Sequence, residues 1–455
     1  FTLSCGLCVG AALACDRGCQ LAHAYRSIMT LAVLLGGLVL LSLLGVPLAF
    51  AILGACLATL MIFRPHLPLE LMAQHVVNGI DSFPLIAIAL FLFAGELMNA
   101  GGITRRIVDF AATLVGHIRG GLGHVTVLAS MIISGISGSA VADAAATGSV
   151  MVPAMKRAGF PPAFSAALCE TAAVMGPIIP PSIPMVIYAI LVEASVGHMF
   201  VGGIIPGVLM GLLLMGMVWV ISMRRGYAKE TWGGFAAVAT TFTAAIAALA
   251  TPVIILGGIL GGVFTVTEAG AIACVYCGLV AVLVYRQLTL KEFWRSLVTA
   301  AQGTASVMLI VGASGVMGWM IADLQINKEA ATLLLSFTTN DWVFLTVVNV
   351  FFLIVGMFMD PLAALIVFVP ILMPAVQALG IDPIHFGVVI VINLMIGLCT
   401  PPVGYLIYLM ANVANEPPQA VIRESLPFLG VLIFVLLLVT YIPALTLTLP
   451  KYFLG

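Results

Sequence analysis

Long stretches of this chain carry no Asp, Glu, Lys, Arg or His, and they constrain its fold more than any other feature. Among them are residues 201–222, 231–267, 269–285, 362–381 and 425–450. A helix crossing a bilayer needs about 20 apolar residues, with a range of roughly 17–25. The stretches show no alternation of period two, which excludes the strands of an outer-membrane barrel and leaves helices as the spanning elements. Composition agrees: 62% of the residues are hydrophobic and 8% are charged, where globular chains run near 45–50% and about 25%. So few charges cannot cover the surface of a soluble protein of 455 residues. The net charge of −1 says little about partners; the lipid bilayer is the expected surrounding, and no nucleic acid is.

The segment 1–28 stands apart from the rest. Cys5, Cys8, Cys15 and Cys19 imitate metal-ligand spacing, but no His or carboxylate pattern completes a site. The segment lacks the basic start of a signal peptide and is expected to be an extension outside the functional body. The clean apolar pattern begins at Met29.

Sliding the chain along itself reveals one informative register. It superimposes Gly135 on Gly356, Pro153 on Pro374, Gly159 on Gly380, Pro162 on Pro383 and Gly176 on Gly397. The pair Pro180-Pro181 falls on Pro401-Pro402. Gly and Pro dictate backbone geometry, so matching them means matching bends and breaks. Two membrane repeats follow, over 29–224 and 236–455, joined by a cytoplasmic connection at 225–235.

Each repeat contains two interruptions. The first apolar run, about 120–156, is broken near Ser134-Gly135-Ile136-Ser137-Gly138-Ser139, and each leg is short for a full crossing. A re-entrant hairpin is the simplest reading. Arg119 and the pair Lys156-Arg157 flank it, which puts both ends on the cytoplasmic side. Its counterpart, about 342–379, turns near Gly356-Met357-Phe358-Met359-Asp360-Pro361 and is flanked by Asp341 and Asp382 with no Lys or Arg. The charge asymmetry predicts repeats of inverted topology. Each hairpin is followed by a broken helix, about 163–191 and about 386–410. There the Pro pairs remove amide donors and free the carbonyls they would have met. Broken helices at matching points of two repeats are the sequence mark of a transporter binding site.

A coupling ion such as sodium wants several oxygen ligands, which unwound backbone and Ser, Thr, Asn or Asp side chains supply. Ser134, Ser137, Ser139 and Asp143 lie at the first tip, and Thr171 and Ser182 by the first break. Asp360 lies at the second tip, with Asn393 and Thr400 by the second break. Hydroxyls bonding their own helix are the competing reading for each Ser and Thr. Asp360 argues more strongly, since an acid in mid-membrane costs about 2.5–3.5 kcal/mol on insertion scales. Glu96, Asp109, Glu170 and Glu268 are acids with equally good structural explanations.

The seven His form no HExxH pair and no Walker A sequence is present, so a zincin and an ATPase are excluded. Gly135-Ile136-Ser137-Gly138 and Gly312-Ala313-Ser314-Gly315 fit the GxSG pattern of an intramembrane serine protease. That is a weak signal in a Gly- and Ser-rich chain, and His385 is the only His near a plausible span in the later half. A channel fits two midplane breaks less well than alternating access.

The stretches SGISGSAVADAAATGSVMVPAMKRAGF, GPIIPPSIPMVIYAI, GGVFTVTEAGAIA and IGLCTPPVGYLIYLM closely resemble the large membrane subunit of tripartite ATP-independent periplasmic transporters. The resemblance implies an all-α polytopic protein of the bacterial inner membrane with elevator-type architecture. It also implies a small four-helix membrane subunit and a periplasmic solute-binding protein as partners. The implied activity is sodium-driven import of an organic acid, a dicarboxylate or sugar acid, with no catalysis and no cofactor beyond coupling sodium. It implies one sodium site at Ser137, Ser139 and Gly176, another at Asp360 and Thr400, and a substrate between the two tips. Ser134, Asp143, Thr171, Ser182 and Asn393 remain as substrate-site candidates. Where the family often has Asn after the second PPVG, this chain continues Tyr405-Leu406. A self-sufficient sodium- or proton-coupled symporter or antiporter of the same superfamily is the alternative.

Overall fold

The structure, a computed structural model, describes residues 29–454 apart from 31, 43, 228, 230, 325–331, 333–337 and 339. The N-terminal cysteines lie outside the described residues. Among those residues there are helices and no strand. In chain order the helices are α1 (Ala32–Ser42), α2 (Leu48–Phe63), α3 (Glu70–Ile80), α4 (Ile86–Ala100) and α5 (Ile103–Val115). Next come α6 (Gly121–Ser137), α7 (Ala140–Arg157), α8 (Pro162–Ala173), α9 (Ile183–Leu191) and α10 (Val196–Arg225). Then follow α11 (Gly234–Leu260), α12 (Val266–Leu279, continued by a π-helical turn at Val280–Val284) and α13 (Leu290–Asp323). The last are α14 (Asp341–Phe358), α15 (Pro361–Ala378), α16 (Pro383–Gly397), α17 (Tyr405–Ala414), α18 (Pro418–Tyr441) and α19 (Ala444–Phe453). Among the described residues, eight helices are long and apolar enough to cross a membrane.

The chain divides into two compact units. One holds Phe1–Asp81, Met308–Thr339 and Pro370–Ala378. Small residues bring its helices together: a Cβ on Gly79 of α3 would lie 3.2 Å from the Cα of Gly315 on α13. His75 stacks on Trp319 at 4.6 Å beside that contact, and Arg64 pairs with Asp323 at 3.1 Å. The second GxSG sequence is thus a packing surface, and its Ser314 hydroxyl donates to the Val311 carbonyl at 2.5 Å.

The other unit holds Ser82–Val307, Asn340–Val369 and Leu379–Gly455. Helix ends here follow capping chemistry. Asp382 accepts from the amides of Ile384 and His385 at the start of α16, which begins that helix ahead of the apolar run at 386. Thr265 and Glu268 form a capping box on α12, so Glu268 has a structural role. Gly226, with φ 70°, closes α10.

The register that lays Gly135 on Gly356 also carries both ends of α7 onto both ends of α15, and the start of α8 onto the start of α16. Gly159 and Gly380, equivalent in that register, have φ of 87° and 70°, and both proline pairs are cis. Within this unit α10 acts as a ruler. Near its start, Gly202 packs against Ile384, Val388 and the Thr446 carbonyl. Near its end, Met223 receives a hydrogen bond from Arg119 at 3.4 Å, and Arg225 pairs with Glu424 at 2.7 Å. From Gly202 to Met223 the helix rises roughly 30 Å. That is the thickness of a bilayer's hydrocarbon core.

Candidate functional site

Two helices end at each pair of interruptions and two begin. At the first tip α6 stops at Gly138, whose φ of 64° suits glycine. Gly138 also sits against the first break, because a Cβ there would lie 2.7 Å from the Pro181 carbonyl. Ser139 then caps α7, its hydroxyl accepting from the Ala142 amide at 3.4 Å. At the first break Ser182 caps α9, accepting from the Met185 amide at 3.3 Å and donating to the Pro177 carbonyl. At the second tip Asp360 caps α15, one carboxylate oxygen accepting from Leu362 and Ala363 amides at 2.9 and 3.4 Å. The second tip meets the second break backbone to backbone, Gly356 against Gly397.

These four interruptions line one open cavity of about 510 Å³. Gly138 to Val141 enter it from the first tip and Pro177, Ile183 and Pro184 from the first break. Gly356 to Leu362 enter from the second tip, and Met395, Leu398, Val403 and Tyr405 from the second break. Leu92 of α4 and Gly303 and Val307 of α13 complete the wall. The N-terminal ends of α7, α9, α15 and α17 therefore all reach the cavity, and among the described residues no Lys or Arg lines it. Helix N-termini carry partial positive charge and unsatisfied amides, which makes them anion sites. Asp360 is the single carboxylate among the described residues of the wall.

Beside the first tip lies a second arrangement, built on Asp143. Its side chain is buried. One carboxylate oxygen accepts from the Ser137 hydroxyl, the other lies 3.4 Å from the Ser134 hydroxyl, and any Cβ on Gly176 would collide with it. Ser134 also bonds the Ser130 carbonyl at 2.6 Å, and the Ser139 amide donates to the Ser137 oxygen at 3.3 Å. Among the described residues Asp143 forms no ion pair. A buried carboxylate without a counter-charge is costly, so such a group either binds a cation or takes up a proton. Ser134, Ser137, Asp143 and Gly176 are thus assembled, and Ser139 bridges them to the cavity.

The remaining residues singled out from the sequence divide differently. Thr171 and Thr400 donate to their own helices, to the Ala167 and Ile396 carbonyls, both at 2.7 Å. Thr400 shares no hydrogen bond with Asp360. Asn393 donates to the backbone and side-chain oxygens of Asn349 at 2.9 Å, and its own buried oxygen has no partner among the described residues. It belongs to a polar chain running through Asn349 and Thr440 to His385. His385 is tied to Thr446 at 2.8 Å, and Ser137 is tied to Asp143, so no serine–histidine pair forms. Glu170 accepts from Ser425, and Asp109 is exposed. Leu92, Gly303 and Val307 went unnoticed in the sequence, since apolar wall residues carry no chemical signal. Tyr405 was visible there only as a departure from a family pattern.

A family model described as "Tripartite ATP-independent periplasmic transporter, DctM component" matches residues 35–445. The sialic acid TRAP transporter large permease protein SiaM of Vibrio cholerae is 40% identical, covering 90% of this chain and 96% of its own. The 2,3-diketo-L-gulonate TRAP transporter large permease protein YiaN of Escherichia coli K12 is 41% identical, with the same coverages of 90% and 96%. In fold, the chain is similar to the YdaH transporter of Alcanivorax borkumensis, whose crystal structure has an unusual topology. The TM-score is 0.59 at 16% identity, over 82% of this chain and 88% of that one.

Proposed function

The chain belongs to the tripartite ATP-independent periplasmic transporters as their DctM component, and from that premise we propose that it translocates an organic acid, driven by sodium. It is a multi-pass protein of the bacterial inner membrane and a transport subunit rather than an enzyme. The observation that carries the anionic substrate is the meeting of four helix N-termini on one cavity without a basic side chain among its described residues. Backbone dipoles of broken helices recognise substrate carboxylates in this way. The large permease relatives named for sialic acid and 2,3-diketo-L-gulonate support a sugar acid or a similar acid as cargo.

Sodium coupling rests on the two acids. Asp143, buried among hydroxyls without a cationic partner among the described residues, offers a cation both charge and oxygen ligands. Asp360 adds a second carboxylate at the cavity wall. A cation at either acid offsets the repulsion between that acid and an incoming carboxylate, so ion and substrate bind together. Gly176 packs so closely against Asp143 that no side chain fits between them. Thr400 can join the second site only through its lone pairs, because its proton is committed to the Ile396 carbonyl.

Transport proceeds by alternating access of a mobile part made of the two hairpins and two broken helices. The separation of Arg119 from Ile384 along α10 supports hairpins entering from opposite faces. A small membrane subunit enlarges the fixed scaffold and a periplasmic binding protein delivers the acid. Proteoliposomes test the whole reading: this chain alone, then with the small subunit, then with liganded binding protein as well, under an inward sodium gradient. Uptake is expected only in the third. Sodium-driven uptake of free acid by the first would leave a self-sufficient symporter instead.

A further inference from the structure

A second cavity, of about 380 Å³, lies about one helical turn beyond the first along α4 and α13, toward the end of α4 and the start of α13. Its wall is made of Glu96 and Ala100 from α4, and Glu292, Arg295, Ser296 and Thr299 from α13. The α13 positions repeat at helical spacing and form one face, while Leu290, Trp294 and Val298 form the next. Those three are 74%, 56% and 53% exposed. Phe93 and Phe293, edge to face at 5.8 Å, tie the two helices together beside the cavity. The connection at 286–289 precedes α13 and carries Arg286 and Gln287. A charged connection at a helix start belongs to the membrane surface rather than its interior.

Glu96 and Arg295 attract each other across this cavity, yet make no hydrogen bond or close ion pair among the described residues. One oxygen of Glu292 caps α13, accepting from the Thr289 amide and hydroxyl at 2.8 and 2.7 Å, and its other oxygen stands outside the cap. Two carboxylates and one guanidinium facing a shared space ask for a ligand with an ammonium and a phosphate. An ammonium brings several N–H donors for carboxylate oxygens, and a guanidinium grips phosphate in a bidentate fork. The Ser296 and Thr299 hydroxyls add donors for phosphate or ester oxygens.

We propose that this cavity binds the headgroup of an aminophospholipid, the ammonium at Glu96 and Glu292 and the phosphate at Arg295. The exposed Leu290, Trp294 and Val298 face lies alongside to receive an acyl chain, and Trp is the residue that favours the headgroup level. Carboxylates facing the site repel a purely anionic lipid. A choline headgroup, which has no N–H, leaves both acids without their hydrogen bonds.

The test is native mass spectrometry of the delipidated full chain, titrated with phosphatidylethanolamine and phosphatidylcholine of identical acyl chains. The ethanolamine lipid is expected to bind about ten-fold more tightly, the effect of one charged hydrogen bond. Glu96→Gln should bring its affinity down to that of the choline lipid, and Arg295→Gln should weaken both lipids. Equal binding of the two lipids by the unaltered chain would overturn the proposal, even if a variant fails to fold. Unchanged selectivity in a folded Glu96→Gln variant would overturn it as well. Free O-phosphoethanolamine supplies the same headgroup without chains. Displacement of the lipid by that compound at comparable concentration would overturn the assignment to a lipid.

Discussion

Ser139 and Asp360, equivalent in the internal repeat, occupy the same place in two hairpins: each caps the returning helix and each lines the same cavity. They differ in one respect, a hydroxyl against a carboxylate. Ser and Asp cap helices about equally well, so Asp360→Ser removes the charge while keeping the cap. The variant is expected to insert and melt like the parent, yet to need several-fold more sodium for half-maximal uptake. Unchanged sodium dependence in reconstituted vesicles would remove Asp360 from the coupling scheme.

Asp143→Asn keeps the shape of the buried cluster at the first tip and deletes its charge. Sodium that binds the native state raises its melting temperature by mass action. In the parent chain, sodium should therefore raise the melting temperature above that in potassium, and in Asp143→Asn the difference should shrink or vanish. Ser137→Ala, which removes one ligand and one donor, is expected to fall between them. Equal sodium stabilisation of all three proteins would place the ion elsewhere.

Gly138 and Gly380 separate steric from conformational effects. Both have positive φ, 64° and 70°. A Cβ on Gly138 meets the Pro181 carbonyl at 2.7 Å, whereas one on Gly380 meets nothing within 4 Å. Alanine at either site carries the left-handed cost of roughly 1–2 kcal/mol. Gly138→Ala must in addition push the first tip off the first break, so it should destabilise more and abolish uptake. Gly380→Ala should retain uptake. Thermal melts and vesicle assays on the pair decide it, and equal effects would mean that the tip–break contact is dispensable.

The topology is open to a labelling experiment. Arg157 ends the first hairpin on its basic side and Asp341 begins the second. Single cysteines placed at these positions in a cysteine-free chain should react with an impermeant maleimide from opposite sides of the membrane. Reaction from the same side would rule out inverted repeats.

Much of the fold was legible because glycine and proline act on the backbone directly. Gly138 ends α6 and the Pro pairs hold the breaks between α8 and α9 and between α16 and α17 open, for backbone reasons that require no knowledge of neighbours, and uncharged length identifies spans. The site was legible in part. Asp143 and Ser137 were visible as polar residues near a tip, but their joining to Gly176 depends on the approach of a break that lies a whole helix further along the chain. That the Thr171 and Thr400 hydroxyls donate back onto their own helices, which leaves only lone pairs for a ligand, depends on rotamers that sequence cannot reveal. Leu92, Gly303 and Val307 come from helices outside both hairpins, and apolar residues reveal their place only when packed.

The four helix ends around the main cavity have a consequence for how such a protein changes over time. Their positive potential comes from peptide groups, which every amino acid carries, so no single substitution can erase it. The surrounding wall, including Leu92, Met357, Val403 and Tyr405, is made of side chains that mutation alters freely. Attraction for an acid and discrimination among acids are thus encoded in different parts of the molecule. A lineage can drift from one cargo to another by exchanging wall residues singly, each intermediate still able to hold a carboxylate.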